Sequence, residues 1–231
     1  LSVKVADSGA EVCVAHDGDA DRAIFVDEQG RFIDGNITLG LVTSYFCSKH
    51  PGGVVVTPVS TSELVEANAE SHGCTTSYTV VGSIYAARTM RKLIEEGKTV
   101  IIGGEGNGGI IYPAHQFCRD GGMSAATMLS LVAERAVPLS ALIAELPVFT
   151  MYQEKRKTDR ASEITAHMKE YFRDYPFDDR DGVRITRGGA WALVRPSGTE
   201  PLVRIYTESK DPGEAKQLMD EILGEISGYL E

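Results

Sequence analysis

The sequence contains few cysteines, and none of them are spaced to bind a metal or form a redox pair. Its four cysteines include no Cys-x-x-Cys, and their spacings match no zinc or redox motif. We therefore expect reduced and mostly buried thiols, as in a cytosolic protein. Apolar runs are also short, because no uncharged stretch reaches the ~18–20 residues of a membrane span, and no signal peptide is recognisable. The sequence thus predicts a cytoplasmic protein without a membrane partner.

Positive charge is scarce as well. Twenty-three Lys and Arg stand against 33 Asp and Glu, which gives a formal net charge of −10. This acidity argues against a nucleic-acid backbone or an anionic membrane as the main partner. It still permits a small anionic substrate, since a local arginine cluster can hold a phosphate. Low-complexity segments and short repeats are absent, and 42% hydrophobic residues are enough to fill a core, so disorder is not the main theme.

Strand-like and helix-like patterns alternate up to about residue 146. The predicted strands are residues 11–16, 22–27, 54–57, 75–81 and 99–102. One predicted helix starts with the capping-box pair Ser60 and Glu63 and stops before Gly73. The other predicted helices are residues 36–49, 83–96, 123–135 and 139–146. This order predicts an α/β fold, a mixed sheet with flanking helices.

The pattern changes after Pro147, and we expect a domain boundary near residues 147–151. The predicted strands that follow are residues 148–157, 183–187, 190–195 and 202–208, with a helix at 159–172. A last helix begins with Asp211 as N-cap and Pro212 as its first residue. Consecutive strands of this kind predict a small α+β domain with an antiparallel sheet.

The first candidate site is the acidic loop, Asp-Gly-Asp-Ala-Asp-Arg at residues 17–22, between two predicted strands. Its carboxylates belong to Asp17, Asp19 and Asp21. Carboxylates on alternate residues of a tight loop can converge, and such hard oxygen ligands suit Mg²⁺, Mn²⁺ or Ca²⁺. A solvated acidic turn is the plain alternative. The three aspartates and Glu28 have the ligand spacing of a calcium-binding EF-hand loop, but Arg22 stands where that loop needs glycine, and the flanks look like strands and not helices. An Asp-x-Asp phosphatase is a further rival.

The second candidate site is the glycine loop, Gly-Glu-Gly-Asn-Gly-Gly at residues 104–109, directly after a predicted buried strand. Glycines let a backbone approach a ligand closely. Glu105 and Asn107 supply the only side chains, and a carboxylate with an amide suits the vicinal hydroxyls of a sugar ring. The alternative is a flexible turn.

The third candidate site is the arginine loop, Arg-Pro-Ser-Gly-Thr-Glu-Pro at residues 195–201, with Arg204 close behind it. Two hydroxyls, a glycine amide and the planar fork of Arg195 make a donor-rich nest for an anion. The alternative is a hairpin loop with a surface arginine.

These three loops, in this order, resemble the α-D-phosphohexomutase family, which includes phosphoglucomutase, phosphomannomutase and phosphoglucosamine mutase. The acidic loop resembles the family's metal-binding loop, Asp-Gly-Asp-x-Asp-Arg. The arginine loop resembles its phosphate-binding loop, and the glycine loop resembles the sugar-binding loop in the form of archaeal members. Arg119, followed by Asp120 and Gly121, also resembles a family element. The resemblance covers nearly the whole chain.

The resemblance implies four domains around a central cleft in the whole enzyme. Residues 1–31 would be the C-terminal remnant of domain two with the acidic loop. Residues 32–147 would be the α/β domain three, and residues 148–231 the α+β domain four. The family's phosphoserine motif, a Ser-His-Asn segment of domain one, does not occur in the sequence. We therefore expect a C-terminal portion of a mutase whose partner is the missing N-terminal part of the same polypeptide.

The resemblance also implies a reaction, the interconversion of hexose 1-phosphates and hexose 6-phosphates. A phosphoserine would give its phosphoryl group to the substrate, and a hexose 1,6-bisphosphate would be the intermediate or activator. The implied Mg²⁺ ligands are Asp17, Asp19 and Asp21. The implied catalytic residue is Arg22, the sugar ligands are Glu105 and Asn107, and Arg119 is a possible further site residue. The implied phosphate ligands are Arg195, Ser197, Gly198, Thr199 and Arg204.

One family feature does not carry over. Many bacterial members end the sugar loop with a histidine that serves as general acid and base, whereas this chain has Gly109. His16 and His115 are better interpreted as structural. Two other function classes stay open at this point. The chain could be a phosphosugar-binding module without turnover, or a calcium-binding structural protein if helices flank the acidic loop. The fragment alone is expected to be inactive.

Overall fold

The computed structural model describes residues 8–230, which fall into two compact units, the first up to Pro147 and the second from Val148. The strands of the first unit are β1 (Val12–His16), β2 (Ala23–Asp27), β3 (Phe32–Ile33), β4 (Val54–Pro58), β5 (Thr75–Thr79), β6 (Val100–Glu105) and β7 (Gly109–Ile111). Its helices are α1 (Gly35–Lys49), α2 (Glu63–Ser71), α3 (Ser83–Glu95), α4 (Gly121–Arg135) and α5 (Leu139–Ala144). The second unit contains β8 (Thr150–Lys157), α6 (Ala161–Tyr171), β9 (Phe177–Asp178), β10 (Val183–Arg187), β11 (Ala190–Pro196), β12 (Leu202–Ser209) and α7 (Pro212–Leu230).

A small antiparallel sheet opens the described part of the first unit. Strands β1, β2 and β3 pair in that order, and the acidic loop joins the first two. Phe25 and Ile33 of this sheet are buried together with Met128, Leu139 and Leu142 from α4 and α5. Burial of a large apolar side chain contributes roughly 1.5–3 kcal/mol, so this cluster anchors the strand that leaves the acidic loop.

The second sheet of this unit is mixed, with the order β5-β4-β6-β7. Strand β4 runs parallel to both neighbours, whereas β6 and β7 form an antiparallel hairpin. Val55 on β4 packs with Leu39 of α1 and Val65 of α2, while Val56 packs with Met90 of α3 on the other face. All of β4 is buried, as expected for a strand that is covered on both faces. The predicted α/β fold with a mixed sheet and flanking helices is confirmed.

The start of helix α2 differs from the prediction. The N-cap is Ser62, whose hydroxyl accepts a hydrogen bond from Leu64 N at 3.1 Å. Ser60 has the capping-box spacing to Glu63, but Glu63 is the first helical residue, so the capping-box prediction is wrong. The sequence pattern also does not indicate strand β7. This strand begins at Gly109, and glycine has low β-propensity.

The second unit is a five-stranded antiparallel sheet with the order β8-β12-β11-β10-β9. Helices α6 and α7 contribute Ile164 and Ile222 to a core that also contains Phe172, Ile185 and Ile205. This architecture confirms the predicted α+β part with an antiparallel sheet. The two-residue strand β9 is an addition that the sequence pattern did not indicate.

The structure tests the predicted burial of the cysteines and the predicted absence of a membrane span. Cys47 and Cys74 are buried, but Cys13 is only partly buried and Cys118 is exposed, so the prediction of mostly buried thiols is only half right. Burial raises the pKa of the Cys47 thiol, which therefore stays protonated at neutral pH. Among the described residues, no helix has both the length and the apolar character to cross a membrane.

Candidate functional site

The acidic loop turns sharply at Ala20. Ala20 N donates to Asp17 O at 3.2 Å, and Ala20 has a φ of 59°, a left-handed value that few residues other than glycine adopt. The turn brings the carboxylates together, since one oxygen each from Asp17, Asp19 and Asp21 lies within 4.8 Å of the others. Oxygens at this spacing can share one divalent cation.

Arg22 is bound to the first carboxylate of the loop. Its Nε donates to Asp17 Oδ2 at 2.6 Å, and its backbone N donates to Asp17 Oδ1 at 3.2 Å. Partial burial alone would raise the pKa of Asp17, but the hydrogen bonds and the charge of Arg22 outweigh it and hold that pKa below its usual value. The bond to Asp17 in turn raises the pKa of Arg22. Asp17 is therefore ionised at neutral pH, and Arg22 is fixed at the edge of the cluster.

Other oxygens of the cluster stay available for a ligand. Asp21 Oδ1 is buried and accepts no hydrogen bond from the described residues, although Arg22 Nε lies 3.7 Å away. A buried carboxylate oxygen without a donor is unfavourable unless a cation satisfies it. Asp19 is exposed and offers a further carboxylate. The residues present thus fit a hard divalent cation such as Mg²⁺.

The EF-hand alternative is wrong. Strands β1 and β2, not helices, flank the acidic loop. Glu28, which would be the last calcium ligand, instead accepts hydrogen bonds from the backbone N of Ser140 at 3.2 Å and from the Ser140 hydroxyl. Its carboxylate is therefore held by the start of helix α5, and the calcium-binding structural class loses its support.

The glycine loop is the tip of the β6–β7 hairpin. Glu105 is only 7% exposed, and its Oε1 accepts from Gly82 N at 3.1 Å. The Asn107 side chain donates to Glu105 Oε2 at 3.3 Å and accepts from Gly109 N at 3.0 Å. Both predicted sugar ligands therefore also hold the loop together. Each side chain can still form further hydrogen bonds, because a carboxylate has about four lone-pair sites and an amide has a second N–H.

The acidic loop and the glycine loop touch each other. Ala23 N, directly after the acidic loop, donates to Gly108 O at 3.2 Å. The side chain of Arg119 spans both loops, because Nη2 forms an ion pair with Asp21 Oδ2 and Nη1 lies 3.7 Å from Glu105 Oε2. Two predicted sites that are more than 80 residues apart in sequence thus lie against each other in the fold.

Helix α4 points its N-terminus at the acidic loop. Asp120 caps this helix by accepting from Met123 N at 2.8 Å. A Cβ on Gly121 would lie only 2.6 Å from Ala20 O, so the helix approaches the acidic loop backbone to backbone. The positive end of the helix dipole therefore lies beside the carboxylates and favours negative charge there.

The arginine loop lies in the second unit. Arg195 on β11 and Arg204 on β12 are direct cross-strand neighbours, an arrangement that is unfavourable for like charges unless anions lie close by. Asp181 Oδ1 accepts from Arg195 Nε at 3.1 Å, and Glu200 Oε2 accepts from Arg204 Nη2 at 3.0 Å. The Arg195 side chain is only 11% exposed, so it is held in place and is not a loose surface arginine.

The tip of the arginine loop is open to solvent. Ser197 N donates to Leu202 O at 2.9 Å and closes the loop, and the Ser197 hydroxyl lies 3.5 Å from Thr199 N. Gly198 and Thr199 are exposed. A Cβ on Gly198 would meet no atom of the protein within 4 Å. The absence of a side chain there keeps the backbone accessible to a ligand.

Sequence reasoning missed the partner of Arg195. Asp181 stands 14 residues before it, and the only local signal is the Asp-Gly dipeptide that precedes β10. Gly182 has a φ of 84°, and a Cβ there would lie 2.6 Å from Arg195 Cβ. The turn that contains Asp181 and Gly182 thus packs directly against Arg195. The sequence also does not identify Gly82, whose backbone N–H donates to Glu105, because no local sequence pattern indicates this contact.

The fold has counterparts among solved structures. A phosphoglucomutase/phosphomannomutase family protein from Burkholderia thailandensis matches with a TM-score of 0.83 and 22% identity, over 97% of this chain and 49% of that one. The N-acetylphosphoglucosamine mutase of Aspergillus fumigatus, in complex with GlcNAc-6P and magnesium, matches with a TM-score of 0.64 and 17% identity, over 91% and 47%. At these identities the likeness establishes the fold alone, which is that of about half of a phosphohexomutase chain.

Sequence comparison identifies the family to which the chain belongs. Residues 34–149 match the phosphoglucomutase/phosphomannomutase alpha/beta/alpha domain III, and residues 152–225 match the C-terminal domain of the same proteins. The chain therefore belongs to the phosphoglucomutase/phosphomannomutase family. A phosphoglucomutase/phosphomannomutase of Thermococcus kodakarensis is 40% identical, over 92% of this chain and 46% of the relative. A phosphoglucosamine/phosphogalactosamine mutase of Sulfurisphaera tokodaii is 38% identical, over 93% and 48%. The chain spans about half the length of these relatives.

Proposed function

We propose that this chain carries the metal-, sugar- and phosphate-binding loops of a phosphohexomutase, an intramolecular phosphotransferase that interconverts hexose 1-phosphates and hexose 6-phosphates. The acidic loop is the observation that carries this proposal. Its carboxylates converge within 4.8 Å, and the buried Asp21 Oδ1 has no donor among the described residues, in a chain of the phosphoglucomutase/phosphomannomutase family. No Ser-His-Asn segment occurs in the 231 residues, so the phosphoserine lies on a segment outside them.

The domain assignment follows from the same proposal. Residues 1–31 are the end of domain two, residues 32–147 are domain three, and residues 148–231 are domain four. The two family matches, over residues 34–149 and 152–225, support this division. The chain covers only about half of each relative, and this supports a larger enzyme that includes the phosphoserine domain.

In the first unit, Asp17, Asp19 and Asp21 hold Mg²⁺, which supplies charge neutralisation for the transferring phosphoryl group. Arg22, anchored by Asp17, places its guanidinium against the phosphoryl oxygens. Glu105 and Asn107 bind sugar hydroxyls with the acceptor and donor sites that the loop does not use. The Aspergillus fumigatus mutase, solved in complex with GlcNAc-6P and magnesium, supports a sugar phosphate and magnesium as the ligands.

In the second unit, the arginine loop binds the phosphate that is not being transferred. The fork of Arg195, the Ser197 and Thr199 hydroxyls and the open backbone at Gly198 provide donors, and Arg204 adds positive charge next to Arg195. The same phosphate stays bound while the other one is transferred, and the hexose 1,6-bisphosphate then turns around so that the phosphates exchange places. The chain by itself binds phosphosugars without turnover.

Mg²⁺ should bind this chain only weakly. Mg²⁺ gives up its water reluctantly and prefers a few carboxylates together with phosphate oxygens, and the phosphoserine oxygen is not part of this chain. We expect millimolar affinity in isothermal titration calorimetry, and tighter binding when a phosphoserine-containing N-terminal segment is added. Micromolar affinity of the isolated chain would show that the protein ligands suffice.

An amide NMR titration with glucose 1-phosphate tests the proposed function. We expect millimolar binding, with saturable shifts of the Ser197, Gly198 and Thr199 amides. The affinity should be modest because the transferring phosphate has no complete binding site in this chain. Unchanged resonances at all three positions would leave the arginine loop a mere hairpin and would overturn the phosphate assignment.

A further inference from the structure

Arg119 occupies a fixed position between the acidic loop and the glycine loop. Its backbone pairs with Ile111 of β7, and the next residue, Asp120, donates its N–H to Ile110 O at 2.9 Å. The side chain then passes over Gly109. A Cβ on Gly109 would lie 2.4 Å from Arg119 Cδ and 3.1 Å from Arg119 Cγ. Gly109 does not have a left-handed φ, so the space taken by Arg119, not the backbone conformation, excludes a side chain here.

The guanidinium of Arg119 is shared by two carboxylates that belong to different loops. Nη2 is paired with Asp21 Oδ2, and Nη1 lies 3.7 Å from Glu105 Oε2. The arginine side chain is 26% exposed, and those of its two partners are 23% and 10% exposed, so water screens these contacts only in part. The pair also leaves Asp21 Oδ1 without a hydrogen bond from any residue that the structure describes. Glu105, in turn, is bound to Gly82 N through Oε1.

We propose that Arg119 is a positioning residue that transmits occupancy of the carboxylate cluster to the glycine loop, and that position 109 is glycine to let its side chain pass. This inference rests on the proposed function. A divalent cation at Asp21 Oδ1 competes with Arg119 for the charge of Asp21. The guanidinium then interacts more strongly with Glu105, and Glu105 changes its hydrogen bond with Gly82. Because such coupling is reciprocal, a ligand on Glu105 changes the metal affinity by the same factor.

The proposal is tested by titrating the chain with Mg²⁺ at constant ionic strength and following backbone amides by NMR. In the wild type we expect the amides of Ala20 and Gly82 to shift with the same midpoint. Two variants interrupt the connection from opposite sides. Arg119→Gln removes the shared charge, whereas Gly109→Ala keeps both carboxylates but displaces the arginine side chain and crowds Asn107 Oδ1, 3.1 Å from the new Cβ. In both variants the Ala20 amide should still respond, and the response of Gly82 should be lost.

A matched control separates transmission from general electrostatics. Arg88 lines the same cavity as Arg119 but forms no ion pair or hydrogen bond with Asp21 or Glu105 among the described residues. Arg88→Gln removes the same charge, and we expect Gly82 to respond as in the wild type. If charge alone mattered, Arg88→Gln and Arg119→Gln would change the response of Gly82 alike, and the proposal would be wrong.

The remaining outcomes are also decisive. A wild-type Gly82 amide that stays still while Ala20 shifts would overturn the transmission through Arg119 and leave the metal site standing. A Gly82 response that persists in both Arg119→Gln and Gly109→Ala would do the same. If neither amide responds to Mg²⁺, the cluster binds no metal, and the proposed function fails together with this inference. Well-dispersed spectra of each variant show that a lost response does not come from unfolding.

Discussion

Replacing Arg195 with alanine is expected to weaken the binding of glucose 1-phosphate by about 10- to 100-fold. A charge-assisted hydrogen bond contributes roughly 1.5–3 kcal/mol, and a planar fork can make two such bonds to a phosphate. Arg195 is nearly buried and its Nε is bound to Asp181, so its geometry is set before the ligand arrives. Little entropy is then lost when a phosphate binds, which is why a single substitution should have a large effect.

Two comparisons sharpen this prediction. Arg195→Lys keeps the charge but loses the fork, so its affinity should lie between those of the wild type and the alanine variant. Arg173→Ala removes an exposed arginine that pairs with Glu170, and it should bind as the wild type does. The measurement is the amide titration with glucose 1-phosphate for all four proteins. Equal affinity of Arg195→Ala and the wild type would contradict the role of the arginine loop.

Gly108→Ala is expected to lower the free energy of unfolding of the first unit by about 2–4 kcal/mol. Gly108 has a φ of 89°, which an alanine adopts only with strain, and a Cβ there would lie 2.6 Å from Ala23 O. That oxygen belongs to the backbone and cannot move aside as a side chain can. The substitution should also separate the two loops, because Ala23 N donates to Gly108 O.

The control for Gly108→Ala is the same substitution where nothing opposes it. A Cβ on Gly224, an exposed residue of helix α7, would meet no atom within 4 Å, and alanine there should stabilise the chain by about 0.5–1 kcal/mol. Urea unfolding measures both changes. Hydrogen exchange of the Ala23 amide should accelerate in Gly108→Ala alone. Unchanged stability and exchange would mean that the two loops are not held together at this contact.

The parts of the site that could be predicted from the sequence are those whose information is local. Asp17, Asp19 and Asp21 alternate within one loop, so a single turn suffices to bring them together. The periodic spacing of apolar residues is local in the same sense, and it predicts most strands and helices of both units. Ser60 shows the limit of local patterns, because it has the capping-box spacing to Glu63, yet Ser62 is the N-cap and the helix begins at Glu63.

The other parts depend on contacts between distant residues. The pairing of Arg195 with Asp181 arises because the turn before β10 packs on β11, and no local pattern predicts that register. Gly109 is conformationally ordinary, and it lacks a side chain because a Cβ there would lie 2.4 Å from Arg119 Cδ and 3.1 Å from Asn107 Oδ1. The link between Asp21 and Glu105 through Arg119 likewise depends on how β7 and α4 are placed.

The most direct test of the central claim is phosphorus NMR of glucose 1-phosphate mixed with the chain, Mg²⁺ and glucose 1,6-bisphosphate. We expect the glucose 1-phosphate resonance to shift and broaden as the chain binds it, and no glucose 6-phosphate to form. The Arg195→Ala chain should leave the resonance much less affected. Accumulation of glucose 6-phosphate would contradict the placement of the phosphoserine outside these residues, and a resonance unaffected by the wild-type chain would contradict phosphosugar binding itself.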